Sequence, residues 1–170
     1  MNRQRRRTVR LRRVWRALSP AMSRPRGREP VRAAIGAGLA LTLCGLLLSG
    51  VNTAFGLETG TGLFLIAPLG ATTFLLFAVP NSPLAQPWSA VIGNGVSALV
   101  AITVVLMDLP LVHSAGLAVA LAIALMALCR AMHPPGAAVA LATVLSKPVV
   151  TELGYGFALA PVMLDTALLV

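Results

Sequence analysis

Residues 59–107 read TGTGLFLIAPLGATTFLLFAVPNSPLAQPWSAVIGNGVSALVAITVVLM, without a single Asp, Glu, Lys or Arg. A transmembrane helix needs roughly 20 consecutive, mostly apolar residues, so this stretch is long enough for two spans and a short turn. Residues 33–57, 109–129 and 131–146 also lack all four residue types. A soluble fold would have too little polar material left for its surface. The sequence therefore predicts an integral membrane protein.

Composition and charge support this class and give it an orientation. Only 11% of the 170 residues are charged, whereas soluble domains carry roughly 25%. Twelve of the 14 Lys and Arg residues lie in positions 1–32. The positive-inside rule places such a tail in the cytoplasm, and we expect the chain in the inner (plasma) membrane of a bacterium. Because backbone groups in lipid must be paired within the protein, we expect an all-α fold.

The apolar runs divide the chain into a basic tail, 1–32, and a transmembrane domain, 33–170. We predict a polytopic helical protein with five or six transmembrane or half-spanning helices. A proline-rich inner turn, PNSPLAQP, separates the second from the third. The predicted segments are 33–51, 61–80, 88–107, 114–131, 134–147 and 153–170.

The basic tail suits a disordered or interfacial segment whose arginines bind anionic lipid headgroups of the bilayer. Its composition leaves open an organelle transit peptide, which is also rich in Arg and poor in acids. Nucleic acid is a disfavoured partner, because no stacking platform accompanies the tail.

The two halves of the transmembrane domain show a weak internal similarity. Pro68-Leu69-Gly70-Ala71 in the second segment corresponds to Pro134-Pro135-Gly136-Ala137 in the fifth. With three spans per half, the pattern predicts a 3+3 inverted repeat, an arrangement common in transporters. Two helix N-termini of this kind attract an anion through first-turn N–H groups and the helix dipole. Thr72 follows the first motif, where its hydroxyl either caps the helix or contacts an ion. The alternative is two ordinary helix kinks.

The second motif belongs to a longer string, Arg130-Ala131-Met132-His133-Pro134-Pro135-Gly136-Ala137. It resembles the signature of the HPP family of integral membrane proteins. Residues 67–87, APLGATTFLLFAVPNSPLAQP, resemble that family's other well-marked block. The resemblance covers roughly 33–170 and implies membrane transport, with nitrite as the candidate substrate. Similar proteins usually carry an Arg and then Gly-Gly-His after PLAQP, where this chain has Trp88 and Gly93-Asn94-Gly95.

Few side chains in the membrane domain carry charge, and each has two interpretations. Arg130 and His133 are three apart and would share a face if the helix continued; they either meet an anion or mark the cytoplasmic interface. Asn94 lies near an inner turn, where exposure explains it as well as substrate contact. Asp165 is either an interfacial residue near the chain end or a proton-relay carboxylate. Cys44 and Cys129 are expected to be packing residues.

Enzymatic chemistry finds no support in the motifs. The chain has no paired carboxylates, Ser-His-Asp set, metal cluster or phosphate loop. We therefore expect no catalytic residues, no metal site and no cofactor.

The leading hypothesis is a transporter or channel-like permease for a small anion. The substrate-binding candidates are His133, Pro134, Pro135, Gly136, Arg130, Pro68, Gly70, Ala71 and Thr72. The alternative is a non-transporting assembly or regulatory protein of the membrane, whose basic tail binds lipid or protein. The small-residue faces of two segments also leave a homo-oligomer open; these residues are Ala34, Gly38, Ser97 and Ala101.

Overall fold

A computed structural model describes residues 19–20, 27–54 and 66–170, with backbone only for 48–54 and 66. Predictions for most of the basic tail and for the loop that contains Glu58 lie outside these residues. The chain divides into two compact units, Met1–Pro30 and Val31–Val170. The second unit contains nearly everything described below.

All regular structure in the described residues is helical, which confirms the all-α prediction. A 3₁₀ turn at Pro83–Ala85 precedes α3, and a π-helical segment at Ala158–Met163 precedes α7. The α-helices are α1 (Glu29–Ala54), α2 (Ile66–Ala78), α3 (Pro87–Leu106), α4 (Leu111–Leu128), α5 (Pro134–Leu145), α6 (Lys147–Leu153) and α7 (Leu164–Leu169).

Three of these helices are long and apolar enough to cross a membrane: α1 over Glu29–Leu47, α3 and α4. The apolar helices Ala67–Ala78 and Ala158–Leu169 are shorter. The described residues thus contain three spans, or four if the bent pair of α5 and α6 is counted as one. The predicted polytopic architecture is confirmed. The five or six predicted segments include the shorter helices as well as the long ones.

The fifth and sixth predicted segments differ from straight spans. Helix α5 has 12 residues and is about 18 Å long, well short of a hydrocarbon core of about 30 Å. The chain bends by 88° between α5 and α6. Segment 153–170 is interrupted where Ala160 leaves helical geometry beside Pro161. A proline within a helix removes a backbone hydrogen bond and crowds the preceding turn, so this segment is an interrupted helix among the predicted transmembrane or half-spanning ones.

Helix α3 is the centre of the bundle. Its spanning window is 67% buried, against 6% for α1 and 22% for α4. Small residues make this possible, since Ser97, Ala98 and Ala101 are all fully buried against neighbouring helices. The face of α3 that carries Ser97 and Ala101 therefore packs inside the bundle. These two residues do not support the homo-oligomer hypothesis. Ala34 and Gly38 on α1 are exposed.

Helix α4 ends in a motif that turns the chain back into the bundle. The N–H of Ala131 bonds the carbonyl of Met126 at 2.8 Å, and that of Arg130 bonds Ala127 at 3.1 Å. This is a Schellman motif, which satisfies the last carbonyls of a helix. Arg130 occupies its left-handed position at φ 54°, where glycine is usual and a side chain costs about 1–2 kcal/mol.

The opposite end of the bundle is held by charge. Asp108, in the turn after α3, pairs with Lys147 at the start of α6, and both side chains are well exposed. The hydrogen bond from Lys147, reinforced by its positive charge, lowers the pKa of Asp108. The pair ties the α3–α4 turn to the α5–α6 bend.

Candidate functional site

His133 is the residue immediately before α5, and its side chain is fully buried. Its Nδ1 lies 2.8 Å from the carbonyl oxygen of Leu84, and its Nε2 lies 3.0 Å from Oγ1 of Thr72. A carbonyl oxygen only accepts, so Nδ1 carries the proton and donates it to Leu84. In the neutral ring Nε2 is then the acceptor, and the hydroxyl of Thr72 donates to it.

These two bonds join the two family-like blocks of the sequence. Thr72 and Leu84 both belong to residues 67–87, and His133 belongs to the His-Pro-Pro string. The turn before α3 is fixed in its own right, because Oγ of Ser82 accepts from the N–H of Leu84 at 3.2 Å. His133 therefore fastens the start of α5 to both α2 and this turn.

Asn94, in the second turn of α3, extends the hydrogen bonding to the last helix. Its Nδ2 donates to Oγ1 of Thr72 at 3.3 Å and to Oγ1 of Thr166 at 3.0 Å. The hydroxyl of Thr166 donates in turn to the carbonyl of Val162 at 2.8 Å. We call His133, Thr72, Asn94 and Thr166 the polar row; all four side chains are fully buried.

One atom of the polar row has no hydrogen-bond partner among the described residues, Oδ1 of Asn94. The orientation of the amide follows from its neighbours. The proton of Thr72 is donated to His133 and that of Thr166 to Val162, so both hydroxyl oxygens need donors, which only the NH₂ group supplies. The lone carbonyl of Asn94 is therefore a buried acceptor without a partner.

Two glycines let the signature turn approach α3. A Cβ on Gly93 would lie 2.7 Å from the carbonyl oxygen of Ala131 and 2.8 Å from Cβ of His133. A Cβ on Gly136 would lie 2.7 Å from Oγ of Ser97 and 2.8 Å from Sδ of Met126. Gly93 lies six residues after Pro87, so the signature turn around His133 contacts α3 about 9 Å from the start of that helix. The signature is thus built into the interior of the bundle.

The first turn of α5 offers little to an anion. Positions 134 and 135 are prolines without an N–H, and the N–H of Gly136 bonds the carbonyl of His133 at 2.8 Å. No N–H from these three positions is free, so only the helix dipole remains of the predicted attraction. The prolines that start the helix thus remove two of the predicted donors, and the hypothesis that first-turn N–H groups bind an anion stays a prediction.

The remaining predicted site residues are dispersed. Helix α4 ends at Leu128, so the condition under which Arg130 and His133 would share a helical face is not met, and Arg130 is exposed and left-handed. Pro134 is exposed, whereas Pro135 is buried.

In the first motif Pro68 is buried, Gly70 is half-buried and Ala71 is exposed. Only Thr72, about 6 Å farther along α2 than Pro68, makes the bond to His133. Its neighbour Thr73 donates to the carbonyl of Leu69, one turn earlier in the same helix, as a buried threonine inside a helix commonly does.

Asp165 is a second buried acceptor. Its side chain is 1% exposed, and neither carboxylate oxygen has a hydrogen-bond partner among the described residues. The thiol of Cys44 on α1 lies 3.9 Å from the backbone carbonyl of Asp165. Asp165 is thus a buried residue near the chain end, and both of its interpretations, interfacial residue and proton-relay carboxylate, stay predictions. No three His, Cys, Asp or Glu side chains of the described chain cluster as metal ligands.

The two departures from the family-like pattern have structural roles here. Trp88 is largely exposed, and its Nε1 donates to the carbonyl of Cys129 at 3.3 Å, which ties the start of α3 to the end of α4. A tryptophan with an apolar body and one donor suits a membrane interface. Asn94 is the centre of the polar row, so its interpretation as an exposed turn residue was wrong.

Sequence reasoning placed neither Asn94 nor Thr166 in a buried hydrogen-bonded row, and it missed the carbonyl of Leu84 as a partner of His133. For Asn94 a signal was present, because glycines on both sides of a polar residue inside an apolar helix allow close approach by neighbouring helices. For Leu84 and Thr166 no local pattern marks the role, which arises only when distant segments meet.

The described chain consists of short and long apolar helices with polar side chains buried between them. This is the architecture of a polytopic α-helical membrane protein. A family model described as "HPP, transmembrane region" matches residues 22–170. The chain therefore belongs to the HPP family of integral membrane proteins.

Two relatives carry only a general description. Over 88 residues the chain is 39% identical to a protein of Dictyostelium discoideum named as a transmembrane protein. The matched region covers 49% of this chain and 28% of that relative. A second transmembrane protein of the same organism is 38% identical over 85 residues, covering 48% of this chain and 30% of the relative. The match thus spans less than a third of each relative. No solved structure matches the chain.

Proposed function

We propose that this protein transports a small anion across the membrane, as a transporter or channel-like permease, with nitrite as the candidate substrate. The observation that carries the proposal is the polar row, four fully buried polar side chains that join α2, α3, α5 and α7. Polar and ionisable groups inside a membrane domain are costly and often mark a substrate or ion pathway.

A purely structural role accounts less well for the details of the row. Hydrogen bonds between transmembrane helices contribute only about 0.6–2 kcal/mol each, and a buried unpaired acceptor costs about 1–3 kcal/mol. The unpaired carbonyl of Asn94 therefore offsets much of what the row's bonds contribute. A site that exchanges partners during transport gives such an acceptor a use.

We also propose that the protein lies in a bacterial inner membrane with its N-terminus in the cytoplasm. Arg130, at the end of α4, then lies on the cytoplasmic side with the 80–87 turn, as the positive-inside rule favours. In a cysteine-free background, an impermeant thiol reagent added to intact cells should label Asp108→Cys and not Arg130→Cys. The reverse labelling would invert the topology.

Flux into proteoliposomes tests the transport proposal. Purified protein should accelerate nitrite entry over empty liposomes, and Asn94→Leu, which removes the unpaired carbonyl, should reduce this protein-dependent flux. The matched control is Thr143→Val on α5, since Thr143 is equally buried but bonds only the carbonyl of Val139 in its own helix.

Two outcomes would contradict transport. If no nitrite, nitrate, formate or chloride enters faster than into empty liposomes, the alternative of a non-transporting assembly or regulatory protein is favoured. Deletion of residues 1–28 should then abolish its interactions, whereas a transporter should keep its flux. If Asn94→Leu and Thr143→Val lower flux equally, the polar row has no special part in it.

A further inference from the structure

We infer that the polar row binds a small neutral molecule that donates a hydrogen bond, so that a weak-acid anion such as nitrite crosses this protein together with a proton, as its conjugate acid. The inference rests on the proposed transport function and specifies the form in which the substrate is bound. Its basis is the balance of donors and acceptors at the row.

Every donor of the row that the structure describes is already in use. Both N–H groups of Asn94 are donated to Thr72 and Thr166. The hydroxyl proton of Thr72 is donated to His133, and Nδ1 of His133 donates to Leu84. An anion needs donors, and these side chains have none left to offer it.

What the row leaves free is an acceptor. Oδ1 of Asn94 belongs to a fully buried side chain and has no partner in the described part of the chain. A carbonyl oxygen repels an anion and attracts an O–H or N–H group. The atom therefore selects for a ligand that brings its own proton.

The charges around the row point the same way. Apart from His133 itself, the buried titratable groups near the row are Asp165, adjacent to Thr166 on α7, and Cys44 on α1. Neither is a cation in any protonation state. The other elements packed on α3 place their titratable and charged side chains at exposed or half-exposed positions of the described chain; these are His113, Cys129, Arg130, Lys147, Glu152 and Tyr155.

With His133 in the neutral form assigned above from its two hydrogen bonds, no buried cation in the described residues compensates an anion at this depth, where an isolated charge is expensive. A neutral acid avoids that cost. Nitrite or formate takes up one proton on one side of the membrane, crosses as the uncharged acid and releases the proton on the other side, so that no net charge moves. Anions of strong acids, such as nitrate and chloride, have no neutral form near neutral pH.

The experiment compares these two classes of anion in wild-type proteoliposomes that contain a pH-sensitive dye, with the membrane potential clamped by potassium and valinomycin or left free. Nitrite and formate gradients should acidify the interior faster than in empty liposomes, equally with and without the clamp. Nitrate and chloride should show no protein-dependent entry. The protein-dependent nitrite flux should rise about tenfold for each unit by which the external pH is lowered, in proportion to the protonated fraction.

Asn94→Leu should lower the protein-dependent flux of nitrous and formic acid about tenfold, the effect of one lost hydrogen bond to the bound acid, and Thr143→Val should leave it unchanged. The comparison of anions uses wild-type protein, so it holds even if Asn94→Leu does not fold.

Three results overturn the inference. Nitrate or chloride entry that generates a membrane potential would identify an anion uniporter, which leaves the proposed function standing and removes the neutral-acid form. A folded Asn94→Leu with unchanged flux would assign the carbonyl to packing alone. Absence of protein-dependent flux for all four anions would remove the proposed function together with the inference.

Discussion

The two proline-marked helix starts look alike in sequence and differ in the structure. Pro134-Pro135-Gly136-Ala137 begins α5 deep in the bundle, with Gly136 pressed against Ser97 and Met126. Pro68-Leu69-Gly70-Ala71 lies on α2, where a Cβ on Gly70 would meet nothing within 4 Å. The residue before the first proline is a buried histidine in one motif and an exposed alanine, Ala67, in the other. A shared motif therefore does not imply a shared environment.

The HPP turn is therefore first of all a packing element. Its prolines remove backbone donors, its glycine allows a close helix contact, and its histidine joins two distant blocks. The corresponding positions of α2 have none of these contacts. The predicted 3+3 inverted repeat stays a prediction, and the two starts show how far two halves of such a repeat can differ locally.

The largest expected effect comes from His133. We expect His133→Ala to lower the free energy of unfolding by about 3–4 kcal/mol, because it removes a buried ring and leaves the Leu84 carbonyl and the Thr72 hydroxyl without their partner. The matched control is His113→Ala, which changes the other histidine, an exposed one on α4, and should cost less than about 0.5 kcal/mol. Thermal unfolding in detergent measures both. Equal effects of the two substitutions would contradict the anchoring role.

Alanine at the two glycines should act in opposite directions. Gly136→Ala should destabilise by about 1–3 kcal/mol, because the added Cβ would lie only 3.1 Å from the carbonyl oxygen of Gly93 as well as against two side chains. Gly70→Ala should stabilise by up to about 1 kcal/mol, because α2 has room for the methyl group and alanine favours the helix. Denaturant titration of both variants separates them. If both stabilise, the close contact at Gly136 is not tight in the folded protein.

The tight contact at Gly136 also limits what a Gly136→Leu variant can reveal about transport. A bulkier side chain there disrupts the α3–α5 contact, so a loss of flux reports unfolding as readily as a blocked backbone. Asn94→Leu is the sharper test because the change removes the unpaired carbonyl, together with the two N–H groups donated to Thr72 and Thr166, and leaves the helix contacts of the flanking glycines in place.

Much of this fold was predictable from single residues and their spacing. Uncharged runs gave the apolar helices, and prolines correctly marked the starts of α3 and α5. The string around His133 and the block at 67–87 gave the family. Thr72 and His133, chosen from them as substrate-binding candidates, lie together in the polar row, and their binding role stays a prediction. These features are local, so a sequence displays them directly.

The rest depends on contacts between distant segments. For Asn94 the sequence left exposure and substrate contact open, because the residue lies near a turn. In the structure α2, α5 and α7 bring Thr72, His133 and Thr166 around it. The left-handed conformation of Arg130 was also hidden, since that position of a Schellman motif usually carries glycine. Burial and hydrogen-bond partners are tertiary properties and leave no local pattern.

The smallest effect is expected at the other end of α5. The start of α5 is held by the buried hydrogen bonds of His133, whereas its end lies beside the exposed ion pair of Asp108 and Lys147. The hydrogen bond and charge of Lys147 lower the pKa of Asp108 in the folded protein. A carboxyl group with a lowered folded pKa contributes stability above its unfolded pKa of about 4, and that contribution is lost as the pH falls through the folded value.

We therefore expect Asp108→Asn to leave the unfolding temperature near neutral pH only slightly lower and to remove part of its decline below about pH 4. Salt should reduce the difference between wild type and variant, because the pair is exposed and screened. Glu152→Gln on α6 is the control, since Glu152 is exposed and forms no ion pair in the described chain. If the acid-induced decline is the same in wild type and Asp108→Asn, the pair contributes nothing to stability. The buried row alone would then fix α5 in the bundle.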